Sequence, residues 1–293
     1  MTPKTDNLVT LKDGRQISYA EFGDPQGKPV LHFHGTPSSR FEGSRPSIDE
    51  TAKQLAVRLI LPDRPGFGMS DFQPRRSFLD WTDDVLELVA ALEIDKFAVM
   101  GLSGGSPYVA ACAYKISDRL TAAGIISGIS PLDAPGAFDG MAKSDRLTYE
   151  LARKAPWLLR LLFWYMAGVL NKEPQKAISQ MMAELSPPDQ AALRQSDVQE
   201  TFIKMARAAF QQGSRGVTWE YRLFTRPWGF QLEKISMPVN IWHGESDSMC
   251  PHSMGRYLAT TIPHSQAKFF PNEGHVSLIV NRYAEMLSML LQG

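Results

Sequence analysis

Val99-Met100-Gly101-Leu102-Ser103-Gly104-Gly105 decides how this chain is read. The residues Phe97–Leu102 form a short apolar run, Ser103 follows it directly, and an alanine-rich helical stretch continues through Tyr114. The order is strand, tight turn, helix. A serine on so sharp a turn takes a strained backbone, and Cβ atoms two positions away on either side would collide around it. Gly101 and Gly105 remove both. The helix that begins beneath the serine points its positive end at any negative charge forming there. The plain alternative is a glycine-rich turn with an idle serine. A dinucleotide loop is disfavoured, because the Gly-x-Gly-x-x-Gly spacing is absent.

Outward from this turn, short apolar runs alternate with helical patterns, which predicts an α/β fold whose mostly parallel sheet is covered on both faces. The expected strands are Arg15–Phe22 (antiparallel), Val30–Phe33, Val57–Leu61, Phe97–Leu102, Leu120–Ile126, Val239–Trp242 and Ala267–Phe270. Phe78, Trp81, Val85, Val89 and Leu92 recur every three or four residues and mark a helix lying on the sheet. Further helices are expected near Ser253–Thr261 and Val276–Leu291. From Pro131 to Phe230 the texture is helical and rich in Met and Trp. The reading is a core of residues 1–130 and 231–293, with residues 131–230 inserted as a helical cap or lid.

Three more loops carry chemistry. His32-Phe33-His34-Gly35-Thr36-Pro37 follows a strand, and the backbone N–H groups of Thr36 and Gly104 are the expected oxyanion donors. His275 lies in a loop between the last strand and the last helix. That places it at the carboxyl edge of the sheet with Ser103, where open α/β sheets bind ligands. It is therefore the expected base. Asp247, in the loop after Val239–Trp242, is the expected acid, with Asp133 as rival. The order Ser103, Asp247, His275 suits an acyl-transfer triad.

His34, Tyr108, Trp164 and Met166 are expected to contact substrate, with loop hydrogen bonding the competing role for His34 and packing the competing role for the cap's apolar residues. Arg40 and Arg64 are further cavity candidates. His32 and His34 find no third ligand at a useful spacing, so no metal is expected, and no cofactor.

Taken in order, His34–Pro37, Asp63-Arg64-Pro65-Gly66-Phe67-Gly68-Met69-Ser70, Gly101–Gly105, His243–Pro251 and Gly274-His275 resemble the capped branch of the α/β-hydrolase superfamily. The resemblance covers Arg15–Ser130 and Met237–Leu291. It implies the α/β-hydrolase fold, a mostly parallel sheet of the eight-stranded type with helices on both faces and an inserted cap. It also implies a serine esterase acting on a small, largely apolar ester. Epoxide hydrolases and dehalogenases in this branch use a carboxylate nucleophile, which Ser103 argues against. Proline iminopeptidases usually carry tryptophan where this chain has Gly104. Amide or carbon–carbon hydrolysis, a cofactor-free haloperoxidase and a ligand-binding scaffold with little turnover stay open.

Lys+Arg and Asp+Glu both number 31, and no basic stripe predicts a nucleic-acid partner. A small uncharged molecule is the expected partner; oligomeric state is not readable. The amino-terminal stretch MTPKTDNLVTLKDGR is polar without an apolar signal core, so a cytoplasmic location is expected. Cys112 and Cys250 form no disulfide framework. Leu158–Leu170 is too short to span a bilayer and is read as a buried or substrate-facing helix.

Overall fold

Strand-forming β-branched and aliphatic runs build one sheet. The strands are β1 (Lys4–Thr10), β2 (Gln16–Gly23), β3 (Lys28–Phe33), β4 (Val57–Pro62), β5 (Phe97–Leu102), β6 (Leu120–Ile126), β7 (Val239–Gly244) and β8 (Ser265–Phe270). The structure is a computed structural model. It describes residues 3–292, so Met1 and Thr2 of the polar amino-terminal stretch and Gly293 of the terminal core segment lie outside the described residues. The strands are ordered β1-β2-β4-β3-β5-β6-β7-β8. β2 pairs antiparallel with β1 and β4, and the neighbours from β4 to β8 are parallel.

The expected strands are all present; β1 is an addition. Its burial alternates between exposed and half-buried positions, so its sequence shows no apolar face. Helices α1 (Pro46–Gln54), α2 (Asp80–Ala91) and α3 (Ser106–Lys115) follow in the first half of the sheet. Between β6 and β7 come α4 (Lys143–Lys154), α5 (Pro156–Lys172), α6 (Pro174–Met182), α7 (Pro187–Leu193), α8 (Ser196–Ala209) and α9 (Arg215–Phe224). The chain then closes with α10 (His252–Thr261) and α11 (His275–Leu290).

The period-two geometry of strands sorts the core into two layers. Leu31, Phe33, Val99, Ile125 and Ile241 pack with α2, α3 and α10 through Trp81, Val85, Val109, Met254 and Leu258. Their chain neighbours Val30, Ala98, Met100, Ile126 and Trp242 face α1 and α11 through Ile48, Ala52, Leu278, Met286 and Leu287. Both faces are therefore covered, as parallel strands buried on two sides require.

Parallel pairing also sets the site. Phe33 lies opposite Gly101, so the loops leaving β3 and β5 emerge side by side. Strand order reverses here, since β3 sits between β4 and β5. Gly244 lies opposite Phe270, which brings the loops after β7 and β8 together.

The reading of Leu158–Leu170 as a buried or substrate-facing helix is corrected. α5 buries Leu159, Phe163 and Leu170 but leaves Trp157, Leu161, Trp164 and Tyr165 more than half exposed. Both arcs of this helix are apolar, so periodicity carries no information about which one faces inward.

Gly105 tests the packing at the turn. A Cβ there would stand 2.2 Å from the Phe33 carbonyl oxygen, a backbone atom with nowhere to retreat. Gly105→Ala is expected to destabilise the fold by about 2–4 kcal/mol, measured as a lower urea midpoint with an unchanged m-value.

Candidate active site

Ser103 is held at φ 53°, in the left-handed region that a non-glycine residue adopts only where its surroundings enforce it. The enforcement is visible at Gly101, where a Cβ would come within 2.9 Å of the Gly105 carbonyl oxygen. The two glycines that flank the serine thus touch each other beneath it.

Thr36 faces this turn. A Cβ on Gly104 would lie 2.6 Å from Thr36 Oγ1 and 2.8 Å from the Phe224 ring. A Cβ on Gly35 would lie 3.6 Å from the Ser103 Cβ. Among the described residues no hydrogen bond engages the Thr36 amide. The loop is held from below by Arg64, which donates to the His34 carbonyl, to Gly35 O at 2.8 Å and to Thr36 Oγ1 at 2.7 Å. From above, the Tyr221 hydroxyl of α9 donates to Thr36 O at 3.2 Å.

Arg64 is itself fixed by a buried charge cluster. Its Nε donates to Glu220 Oε1 at 2.7 Å, and Arg76 donates to the other carboxylate oxygen. The Tyr108 hydroxyl donates to the same carboxylate at 2.8 Å. Burial opposes the charge of Glu220, but Arg76 and Arg64 outweigh it and hold the carboxyl below its usual range. Tyr108 and Arg64 are wholly enclosed by these contacts. Arg40 is likewise absorbed, pairing with Asp63 at 2.6 Å and Asp6 at 2.7 Å. His34 accepts from the Arg64 amide at 3.2 Å and lies 2.8 Å from Gly35 O, so Nδ1 carries its proton. Burial and the Arg64 charge push His34 well below the ordinary histidine value. It is neutral and braces the loop.

The structure brings Asp247 to His275, with Oδ2 2.8 Å from Nδ1. The other oxygen, Oδ1, accepts from the amides of Met249 and Cys250 at 2.9 and 2.8 Å, fixing the carboxylate plane. The rival Asp133 is exposed. Burial works against a charged His275, the Asp247 carboxylate and the Cys250 contact work for it, and the imidazole stands well above its ordinary pKa.

Two residues here were not anticipated from sequence. The Cys250 thiol lies 3.6 Å from Ser103 Oγ and is also within hydrogen-bonding reach of His275. In this resting arrangement the hydroxyl pairs with the thiol rather than with the imidazole. Burial pushes the Cys250 thiol up, so it stays protonated near neutrality and is a poor nucleophile.

Asp189, on α7, is the second. It is fully buried, and its carboxylate accepts from the amides of His275, Val276 and Ser277 at 2.9, 2.8 and 2.8 Å. These are the orphan N–H groups that open α11. The cap comes from a different helix, and it grips the backbone of His275, whose ring meets Asp247. Gly274 makes room for it, since a Cβ there would stand 2.3 Å from Asp189 Oδ2.

Trp164 and Met166 are not brought to this site. They are 69% and 46% exposed on α5, whereas Phe224 stands beside Gly104 and Tyr221 beside Thr36. Tyr149 joins them, its ring centroid 5.5 Å from Tyr221 and 6.5 Å from Phe224.

Comparison with known proteins agrees with this architecture. A family model for the alpha/beta hydrolase fold matches residues 28–282, and the chain belongs to that family of hydrolases. The chain is 27% identical over 287 residues to a bifunctional esterase/perhydrolase of Acinetobacter calcoaceticus, covering 91% of this chain and 92% of that one. It is 28% identical over 124 residues to a proline iminopeptidase of Xylella fastidiosa. That match spans only 39% of the iminopeptidase. A thermophilic esterase from Thermogutta terrifontis shares the fold, with TM-score 0.68, 24% identity, and coverage of 100% of this chain and 98% of that one.

Because Asp189 satisfies the three donors that open α11, Asp189→Ala is expected to remove about 2–4 kcal/mol of stability. Asp189→Asn, which keeps one acceptor oxygen, should recover part of it. Chemical denaturation of the three proteins checks the order.

Proposed function

We propose that this hydrolase cleaves small, largely apolar carboxylic esters through an acyl-enzyme, with Ser103 as nucleophile, His275 as base and Asp247 as its orienting acid. The observation that carries the reading is the strained Ser103 backbone at the end of β5, beside a buried His275 bonded to Asp247 at 2.8 Å. Residues 131–230 act as a cap whose α4 and α9 supply Tyr149, Tyr221 and Phe224 as the apolar wall for the acyl group. The free thiols Cys112 and Cys250 fit a cytoplasmic setting.

In this mechanism the Ser103 hydroxyl leaves the Cys250 thiol, gives its proton to His275 Nε2 and attacks the ester carbonyl. Asp247 holds the other ring nitrogen and stabilises the imidazolium. The Gly104 and Thr36 amides receive the charge that develops on the carbonyl oxygen; one such donor contributes about 3–4 kcal/mol. The protonated imidazole passes its proton to the departing alkoxide. Water, deprotonated by His275, then cleaves the acyl-enzyme and restores the hydroxyl. The Arg64 contacts to His34, Gly35 and Thr36 keep the loop preorganised throughout.

A second reading rests on the near-full-length likeness to an esterase/perhydrolase. Hydrogen peroxide replacing water in the last step would give a peracid and free Ser103. Peracid formed from ester and peroxide, detected by bromide oxidation, tests it.

Ser103→Ala is expected to lower turnover of aryl acetates and butyrates by about four orders of magnitude with unchanged folding. A fluorophosphonate probe should label Ser103 in the parent protein and nothing in the variant. Full esterase activity in the folded variant would overturn the assignment.

Base catalysis needs neutral His275, and its pKa is raised. The kcat/KM profile should therefore climb with pH through a midpoint above the ordinary histidine value of about 6.5. Asp247→Asn removes the charge that raises it and leaves the burial that lowers it. The ascending limb should move to lower pH while the rate falls by about 10⁴.

A further inference from the structure

Helix α5 presents an apolar face to solvent that nothing in the fold covers. Trp157, Leu161, Trp164 and Tyr165 are 67%, 55%, 69% and 63% exposed, and Leu158 is 40% exposed. Their spacing of four, seven and eight residues puts the first four on one side of the helix. Two of the chain's six tryptophans stand here. Leu159, Phe163 and Leu170 root the opposite side in the protein, and the Ser214 hydroxyl donates to Arg160 O at 2.9 Å. The exposed face is thus held outward on a fixed support.

Along the helix itself the charge has one sign. Between Leu151 and Lys172 the sequence holds Arg153, Lys154, Arg160 and Lys172 and no Asp or Glu. All four are exposed. Glu150 and Glu173 bound the stretch; Glu150 is shared by Arg146 and Lys154 at 3.7 and 4.0 Å, and Glu173 lies 3.3 Å from Lys176. Among the described residues Arg153, Arg160 and Lys172 form no ion pair.

We infer that the outward face of α5 docks on an anionic lipid bilayer, with Trp157, Leu161, Trp164 and Tyr165 entering the headgroup–acyl boundary and Arg153, Arg160 and Lys172 meeting lipid phosphates. A helix fixed to the protein along one side, too short to span, and ringed by cations lies in the interface plane. Tryptophan and tyrosine favour that boundary, where an apolar ring and a polar N–H or O–H are both accommodated. A second copy of this chain fits less well. A two-fold contact through the same face would bring two sets of these unpaired cations together.

The test uses the full chain and vesicles of phosphatidylcholine with or without phosphatidylglycerol. Pelleting should show at least about tenfold stronger association with the anionic vesicles, weakening as salt is raised. Tryptophan emission should shift to the blue on binding. The double variant Trp157→Ser/Trp164→Ser should lose about tenfold or more of that association and keep its urea midpoint, because both side chains are solvent-exposed. Arg153→Glu/Arg160→Glu should abolish the preference for anionic vesicles. Absence of binding to anionic vesicles at low salt would overturn the inference. So would binding that the tryptophan variant leaves intact, or a dimer in sedimentation that the same variant dissolves, which would give the face to a second copy.

Discussion

Glu220 is the point at which the helices between β6 and β7 are locked to the sheet. Its carboxylate accepts from Arg64, Arg76 and Tyr108 in complete burial. Breaking such a cluster by removing one member is worth roughly 3–5 kcal/mol, because the charges left behind have no water to turn to. The consequence reaches beyond stability. Arg64 spends its remaining donors on the His34 carbonyl, Gly35 O and Thr36 Oγ1, so a carboxylate on α9 fixes the loop beside Ser103. Any displacement of α9 must move Arg64, Tyr221 or both, and each touches Thr36. The helical segment and the loop therefore form one mechanical unit.

A second link of the same kind joins α7 to His275. Asp189 supplies the opening cap of α11, so the imidazole is placed by Asp247 from the β7 loop and by Asp189 from the helical segment. Two buried carboxylates from distant parts of the chain thus converge on one residue, Asp189 on its backbone amide and Asp247 on its ring. That convergence gives the helical segment control over both halves of the site, the loop beside the serine through Glu220 and the histidine through Asp189.

The sheet was legible because buried parallel strands are short, apolar and β-branched, and because Gly101, Ser103 and Gly105 carry the stereochemistry of their turn in their identities. β1 was not, since an edge strand exposed on alternate residues shows only polar composition. The Asp247–His275 pairing followed from chain order and from parallel strands ending at one rim. Asp189 was hidden by its own neighbourhood. Ser186-Pro187-Pro188-Asp189 reads as an ordinary helix start, and the Ser186 hydroxyl indeed donates to Asp189 at 2.9 Å, while the partner that matters is 86 residues away. Trp164 and Met166 lie outside because apolarity alone does not mark a pocket. In a helix apolar on both arcs, only the packing partner decides which residues are left outside.

The Ser103–Cys250 contact bears on how the proposed chemistry begins. A thiol is a weak hydrogen-bond partner, so the 3.6 Å contact holds the hydroxyl lightly. A neutral imidazole is a far stronger acceptor, so in the proposed mechanism His275 draws the hydroxyl away from sulfur once it has lost its proton. While His275 is charged, it has no acceptor to offer, and the thiol remains the better partner. Under the proposed mechanism the protonation state of His275 therefore sets both the availability of a base and the orientation of the nucleophile. Because the Asp247 charge favours the protonated imidazole, the carboxylate that steadies the ring would also, in the proposed mechanism, govern when Ser103 is released.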